Sequence, residues 1–80
     1  MENYETIRVS FTDSIYIIDR MFNVEEWGVS NLKEWIDSYE TTRFAQIDSN
    51  TAIITSEYNM DFVKEWLKRY ISIGNIQSIN

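Results

Sequence analysis

Leu32-Lys33-Glu34-Trp35-Ile36-Asp37-Ser38-Tyr39 returns thirty-one positions later as Val63-Lys64-Glu65-Trp66-Leu67-Lys68-Arg69-Tyr70. Lys, Glu, Trp and Tyr coincide, and each aliphatic position exchanges one branched side chain for another. Only the outward pair changes, from Asp37 and Ser38 to Lys68 and Arg69. Both copies thus offer one shared buried face and differ toward solvent. In the second copy Val63, Trp66, Leu67, Tyr70 and Ile71 fall at i, i+3, i+4, i+7 and i+8, the apolar stripe of an amphipathic helix. Asn59 is placed to cap its start, Asp61 suits its positive first turn, Lys68 and Arg69 its negative end, and Gly74 follows as a stop. The first copy repeats the stripe with Leu32, Trp35, Ile36 and Tyr39. Its start has two readings: a helix from residue 24 that tolerates Gly28, with Asn23-Val24-Glu25-Glu26 as cap and acidic first turn, or a short turn there before a helix from about Ser30.

Outward from the repeat, Ile7, Val9 and Phe11 alternate with Arg8 and Ser10, the period of a half-buried strand. After the turn-forming Thr12-Asp13-Ser14 comes Ile15-Tyr16-Ile17-Ile18, β-branched and aromatic, which reads as the returning strand of a hairpin. The same grammar recurs in Arg43-Phe44-Ala45-Gln46-Ile47, Asp48-Ser49-Asn50 and Thr51-Ala52-Ile53-Ile54-Thr55. The expected fold is therefore α+β: duplicated ββα units over residues 4–42 and 43–74, giving a mainly antiparallel sheet of about four strands with two helices packed on one face. Residues 1–80 form one domain, and about five extra residues lie within Asp19 to Asn31. The tail, residues 75–80, holds Ile76 and Ile79 and can add an edge strand, pack under the sheet, or fray.

Composition narrows the chemistry. Eighty residues bury a marginal core, and three Trp, five Tyr and four Phe compensate for its size. The chain has no Cys and no His. A thiol nucleophile, an imidazole base and zinc or iron–sulfur clusters therefore have no ligands or donors here, and no metal or cofactor is expected. Its two glycines, Gly28 and Gly74, cannot form a phosphate loop, and no Ser-centred elbow is present. The carboxylate pairs Glu25/Glu26 and Glu34/Asp37 are the only candidates for acid–base work, on a domain too small to enclose a substrate easily. The expectation is a non-enzymatic protein. No run approaches the ~20 apolar residues of a membrane span. The acidic start, Met1-Glu2-Asn3-Tyr4-Glu5, is unlike a secretory signal, which points to the cytoplasm. Twelve Ile and seven Asn against two Ala and no Pro suit an AT-rich coding sequence, as in a low-GC bacterium or its phage.

The net charge of −6 is segregated. Residues 1 to 42 hold nine acids (Glu2, Glu5, Asp13, Asp19, Glu25, Glu26, Glu34, Asp37, Glu40) against Arg8, Arg20 and Lys33, whereas from residue 43 onward acids and bases balance. Glu34, Asp37 and Glu40 step by three, so a continuous helix would display them as a row away from Trp35 and Tyr39. Such a row either solvates the surface or meets a basic partner, toward which clustered carboxylates steer by long-range attraction. Trp27, beside Glu25 and Glu26 and outside the repeated stripe, is the candidate anchor; the alternative is that it caps one end of the sheet. Trp35 and Trp66 belong to the core. The partner-binding candidates are thus Glu25, Glu26, Trp27, Glu34, Asp37 and Glu40.

Direct nucleic-acid binding has only Arg43, Lys64, Lys68 and Arg69 with Phe44 and Tyr58 to support it, and net acidity opposes it. In size, acidity and lack of Cys and His, the chain resembles the small inhibitors that phages and mobile elements encode against host enzymes, such as anti-CRISPR proteins and DNA mimics. That resemblance implies a protein partner with a basic surface, one that normally handles nucleic acid in a bacterial cytoplasm. The competing expectation is a self-associating module, a homodimer that covers exposed sheet edges across a two-fold axis.

Overall fold

The computed structural model describes residues 4–79; Met1 to Asn3, with the acidic start, and Asn80 lie outside them. The elements are β1 (Glu5–Phe11), α1 (Ile15–Asp19), α2 (Val24–Trp27), α3 (Leu32–Asp37), β2 (Thr42–Asp48), β3 (Thr51–Ser56), α4 (Met60–Tyr70) and β4 (Ile73–Ser78). The strands form one sheet of order β2-β3-β1-β4 in which every neighbouring pair is antiparallel. The expected α+β class and four-stranded antiparallel sheet hold.

The sheet forms because β1 alternates. Ile7 and Val9 lie opposite Ile54 and Ala52 of β3, and Phe44 of β2 lies opposite Ile54, so the apolar members of three strands share one face. Ile15, Ile18, Leu32, Ile36, Met60, Val63 and Leu67 from the helices join them in a single buried cluster. Leu32 and Val63 are fully buried, as are Ile36 and Leu67, so the aliphatic positions of the eight-residue repeat are equally buried, but Tyr70, expected on the buried stripe, is 49% exposed where its counterpart Tyr39 is half-buried. At ~25 cal/mol per Å2 of apolar surface, these side chains are the principal stabilising term of so small a domain. The opposite face carries Thr6, Arg8 and Ser10 of β1 beside Ile53 and Thr55 of β3 and Gln77 of β4.

Ile15 to Ile18 is not a returning strand. Ser14, expected in a turn, is an N-cap whose Oγ accepts from the Ile17 N–H at 3.3 Å, and the run coils into α1. Ile15 and Ile18 are buried while Tyr16 and Ile17 face solvent, a helical spacing that as a strand would have put apolar side chains on both faces. The places beside β1 are taken by β3 and β4, so no strand from the first half can pair with it. The first unit therefore reads β-α-α-α, the duplicated ββα arrangement does not hold, and four helical segments replace the two expected.

The second hairpin is as read. Asp48 Oδ1 accepts from the Asn50 N–H at 2.9 Å and closes the β2–β3 turn. The helix of the second copy is α4, but Asn59 does not cap it with its side chain. Asn59 Nδ2 instead donates to the Glu40 carbonyl at 3.1 Å, tying the start of α4 to the turn after α3. Of the two readings for residues 24 to 31, the short turn wins. Asn23 Oδ1 accepts from the Glu25 and Glu26 N–H groups, and Gly28 at φ 78° ends α2 after four residues. A second cap, Asn31, starts α3. Gly74 lies in a bulge of β4, where a Cβ would come within 3.2 Å of the Ser10 carbonyl oxygen. Of the tail, residues 75–78 belong to edge strand β4.

Candidate functional site

Each candidate carboxylate sits in a distinct environment. Glu25 and Glu26 occupy the first turn of α2, exposed to solvent, with their backbone N–H groups consumed by Asn23. Glu34 is exposed and faces back along its own helix: its Oε1 accepts from the Ser30 N–H at 2.8 Å and from the Ser30 hydroxyl at 2.7 Å. Asn31 Oδ1 reciprocates by accepting from the Glu34 N–H at 2.8 Å, so the two ends of this capping arrangement lock each other. Those two donors from Ser30 hold the Glu34 carboxyl below the ordinary value of 4.5.

Asp37 does structural work. Its Oδ1 accepts from the Phe44 N–H at 2.9 Å, and its Oδ2 pairs with Lys33 one helical turn earlier. The Phe44 N–H points away from β3, because Arg43 and Ala45 are the residues that turn their backbone toward Thr55 and Ile53. Asp37 therefore caps the outer edge of β2. The Thr42 N–H beside it is likewise taken, by the Tyr39 carbonyl at 3.2 Å.

Glu40 is not on the helix at all. α3 ends at Asp37, Ser38 Oγ donates to the Trp35 carbonyl, and the chain turns through Thr41 at φ 54°. The expected helical row of Glu34, Asp37 and Glu40 is thus broken after its second member. The Glu40 carbonyl serves as a knot, accepting from Thr41 Oγ1, Thr42 Oγ1 and Asn59 Nδ2. Asp37 and Glu40 do meet again at a cleft of about 810 Å3, where they line the wall with Tyr4, Lys33 and Arg43. That cleft mixes both signs of charge and excludes Glu25, Glu26 and Glu34 from its lining.

Trp27 has partners that no symmetry of the repeat suggests. Its ring lies 5.4 Å from Phe22, 5.9 Å from Trp66 and 5.8 Å from Tyr70, the last two edge to face. Trp66 in turn stacks on Trp35, with centroids 3.6 Å apart and planes at 23°. Tyr39 closes the far side of Trp35 at 4.7 Å. Six rings from five stretches of chain form one continuous cluster, running from the buried Phe22 through the half-buried Trp27, Trp35, Tyr39 and Trp66 to the exposed Tyr70. Burial pushes the Tyr39 hydroxyl above its ordinary value. Trp35 and Trp66, expected in the core, lie at its rim.

The sequence reading placed Trp66 and Tyr70 on the buried stripe and passed over Phe62. Phe62, Trp66 and Tyr70 step by four along α4 and, with Tyr39, Glu65 and Arg69, line a shallow groove of about 290 Å3. Phe62 is 63% exposed. The signal was present in that spacing, but the stripe through Val63 and Leu67 dominates the same helix. Arg20 stacks over the exposed Tyr16 ring at 4.8 Å and donates to its hydroxyl, a contact that only the helical form of residues 15–19 brings together.

Among the described residues no group of three or more Asp or Glu is placed to hold a metal ion, and no helix is long and apolar enough to cross a membrane. What the fold presents is a small α+β domain with an antiparallel sheet, an aromatic seam and unevenly placed carboxylates. The chain belongs to a family described as a domain of unknown function (DUF6956), whose model matches residues 1–78. No curated protein and no solved structure matches it.

Proposed function

We propose that this chain is a non-enzymatic protein-binding module whose acidic first half occupies a basic surface of a nucleic-acid-handling protein in a bacterial cytoplasm, in the manner of phage or mobile-element inhibitors that act like anti-CRISPR proteins or DNA mimics. The observation that carries the reading is that Glu25, Glu26 and Glu34 are exposed and, among the described residues, make no ion pair. Lys33, Lys64 and Arg69 are already engaged with Asp37, Glu5 and Glu65. The negative charge of Glu25, Glu26 and Glu34 is therefore available to a partner rather than neutralised by an ion pair, and it steers encounter with a positive groove.

Asp37 and Glu40 contribute differently from what their sequence spacing suggests. Asp37 holds the β2 edge and Glu40 flanks the mixed-charge cleft, so the binding surface centres on Glu25, Glu26 and Glu34, with the half-buried Trp27 next to the first two in sequence. An aromatic ring already held by its neighbours loses little freedom on binding, which favours it as an anchor.

The test is capture from a low-GC bacterial lysate by the immobilised chain and by a Glu25→Gln/Glu26→Gln/Glu34→Gln variant, followed by mass spectrometry. A basic nucleic-acid enzyme held by the parent, lost by the variant, and displaced by duplex DNA or by raising salt from 0.05 to 0.5 M is the expected result. Equal recovery by both chains removes the acidic surface from consideration.

A further inference from the structure

We propose that the outer edge of β4 is a self-association site, at which two copies pair their β4 strands antiparallel across a two-fold axis to give one eight-stranded sheet. This goes beyond the acidic-surface reading and uses a different part of the molecule.

The two edges of the sheet are unlike. At β2, the outward N–H groups of Thr42 and Phe44 are occupied by Tyr39 and Asp37, and a bulge between Gln46 and Asp48 interrupts the rest. That edge is closed in the way edge strands commonly are. Among the described residues no strand lies beyond β4. The Ile79 N–H donates to the Thr6 carbonyl at 3.0 Å, and Gln77 lies opposite Arg8. By the two-residue alternation of an antiparallel ladder, Asn75, Gln77 and Ile79 therefore turn their backbone groups toward β1, while Ile76 and Ser78 turn theirs outward.

None of the usual guards is present past the Gly74 bulge. Residues 71–79 contain no Lys, Arg, Asp, Glu or Pro in a chain whose net charge is −6. Two such chains repel each other, and the uncharged strand is the approach along which that repulsion is weakest. A second copy fits this edge because its outward groups are self-complementary. A two-fold axis through Gln77 places Ile76 opposite Ser78 of the second copy and Ser78 opposite its Ile76, matching every outward donor with an acceptor in about four hydrogen bonds. Ile76, half-buried on the core side, then lies diagonally across from its equivalent, extending the apolar face through the junction. So short a junction lies below the usual size of a stable interface, which sets the expected dissociation constant at about 0.1 to 1 mM.

The register makes the test specific. Amide hydrogen exchange followed by NMR at about 1 mM protein is expected to show protection of Ile76 and Ser78 that disappears on dilution to about 20 μM, whereas Asn75 and Gln77 stay protected at both concentrations. Sedimentation velocity should show the same equilibrium tightening as salt rises, because salt screens the repulsion between copies. Partner binding through carboxylates has the opposite salt dependence, so failure of one reading is distinguishable from failure of the other. Ser78→Pro removes an outward donor and no β1–β4 bond, and it should weaken association at least tenfold with the fold retained by circular dichroism. If that variant does not fold, Ser78→Glu, which adds a like charge beside the axis, carries the same expectation. A strict monomer at 1 mM in 0.5 M salt overturns the proposal, and so does a folded Ser78→Pro or Ser78→Glu chain that associates as the parent does.

Discussion

Replacing Asp37 by Ala should destabilise this domain far more than replacing any of the other candidate carboxylates. The residue joins two elements: its Oδ1 accepts from the Phe44 N–H at 2.9 Å and its Oδ2 holds Lys33. Phe44 is only 5% exposed, so its N–H is desolvated on one side even though it lies on a sheet edge. A charged acceptor on a backbone donor contributes about 1.5–3 kcal/mol. Water reaches the edge once the carboxylate is gone, which favours the lower part of that range. The Lys33 pair adds only about 0.3–0.5 kcal/mol, as exposed i,i+4 pairs do. Asp37→Ala should therefore cost about 2 kcal/mol, a fall in Tm of about 8–16 °C for a chain of this length. Asp37→Asn keeps an oxygen for Phe44 and should lose less than half as much, while Lys33→Gln should lose no more than about 0.5 kcal/mol. Thermal and urea unfolding at pH 7 by circular dichroism read all three. A fall of less than about 3 °C for the Ala variant, or an Asn variant as unstable as the Ala one, would refute the assignment of Asp37 to the sheet edge. A further consequence is that freeing the Phe44 donor opens β2 as a second pairing edge, so the Ala variant should self-associate more than the parent.

The stacked indoles of Trp35 and Trp66 should give an exciton couplet in the circular dichroism spectrum that Trp35→Phe abolishes, and a folded variant with the couplet intact would rule out the stack. Trp27→Ala should cost about 2 kcal/mol, since the ring touches Phe22, Trp66 and Tyr70, and its urea midpoint should fall accordingly. Asn31→Ala removes the acceptor for the Glu34 N–H and should cost about 1 kcal/mol in the same assay. Glu34 should titrate below 4.5 by carboxyl-carbon NMR, and Ser30→Ala should move it back up. Because the folded value is depressed, the stability this group contributes is present above the unfolded value and is lost as pH falls through the folded one.

The parts of the fold that local chemistry dictates were legible: the Asp48-Ser49-Asn50 turn with its flanking alternation, and the stripe of α4. What failed did so for a nonlocal reason. Ile15-Tyr16-Ile17-Ile18 has strand-like side chains, yet β1 takes its neighbours from residues 51–56 and 73–78, and Ser14 is as good a helix cap as it is a turn residue. The tail's strand was one of three options because only its pairing with β1, more than sixty residues away, selects it. At the candidate site, Glu25 and Glu26 lie exposed where the charge count places them, but the row through Glu40 assumed a helix that stops at Asp37. Nothing local predicts that the Asp37 carboxylate reaches Phe44, or that Trp27 meets Trp66 thirty-nine positions on.

The position of β1 also sets the order in which the chain can fold as it is synthesised. β1 is made before both of its neighbours, β3 and β4, so its apolar face stays without a sheet until they follow. Closure waits for residues 73–78 and then joins β1 to a strand more than sixty residues later. Loss of residues 73–78 would thus deprive β1 of a neighbour, and a ribosome stalled before them would hold a chain whose β2–β3 hairpin is formed but whose central strand is still exposed to chaperones.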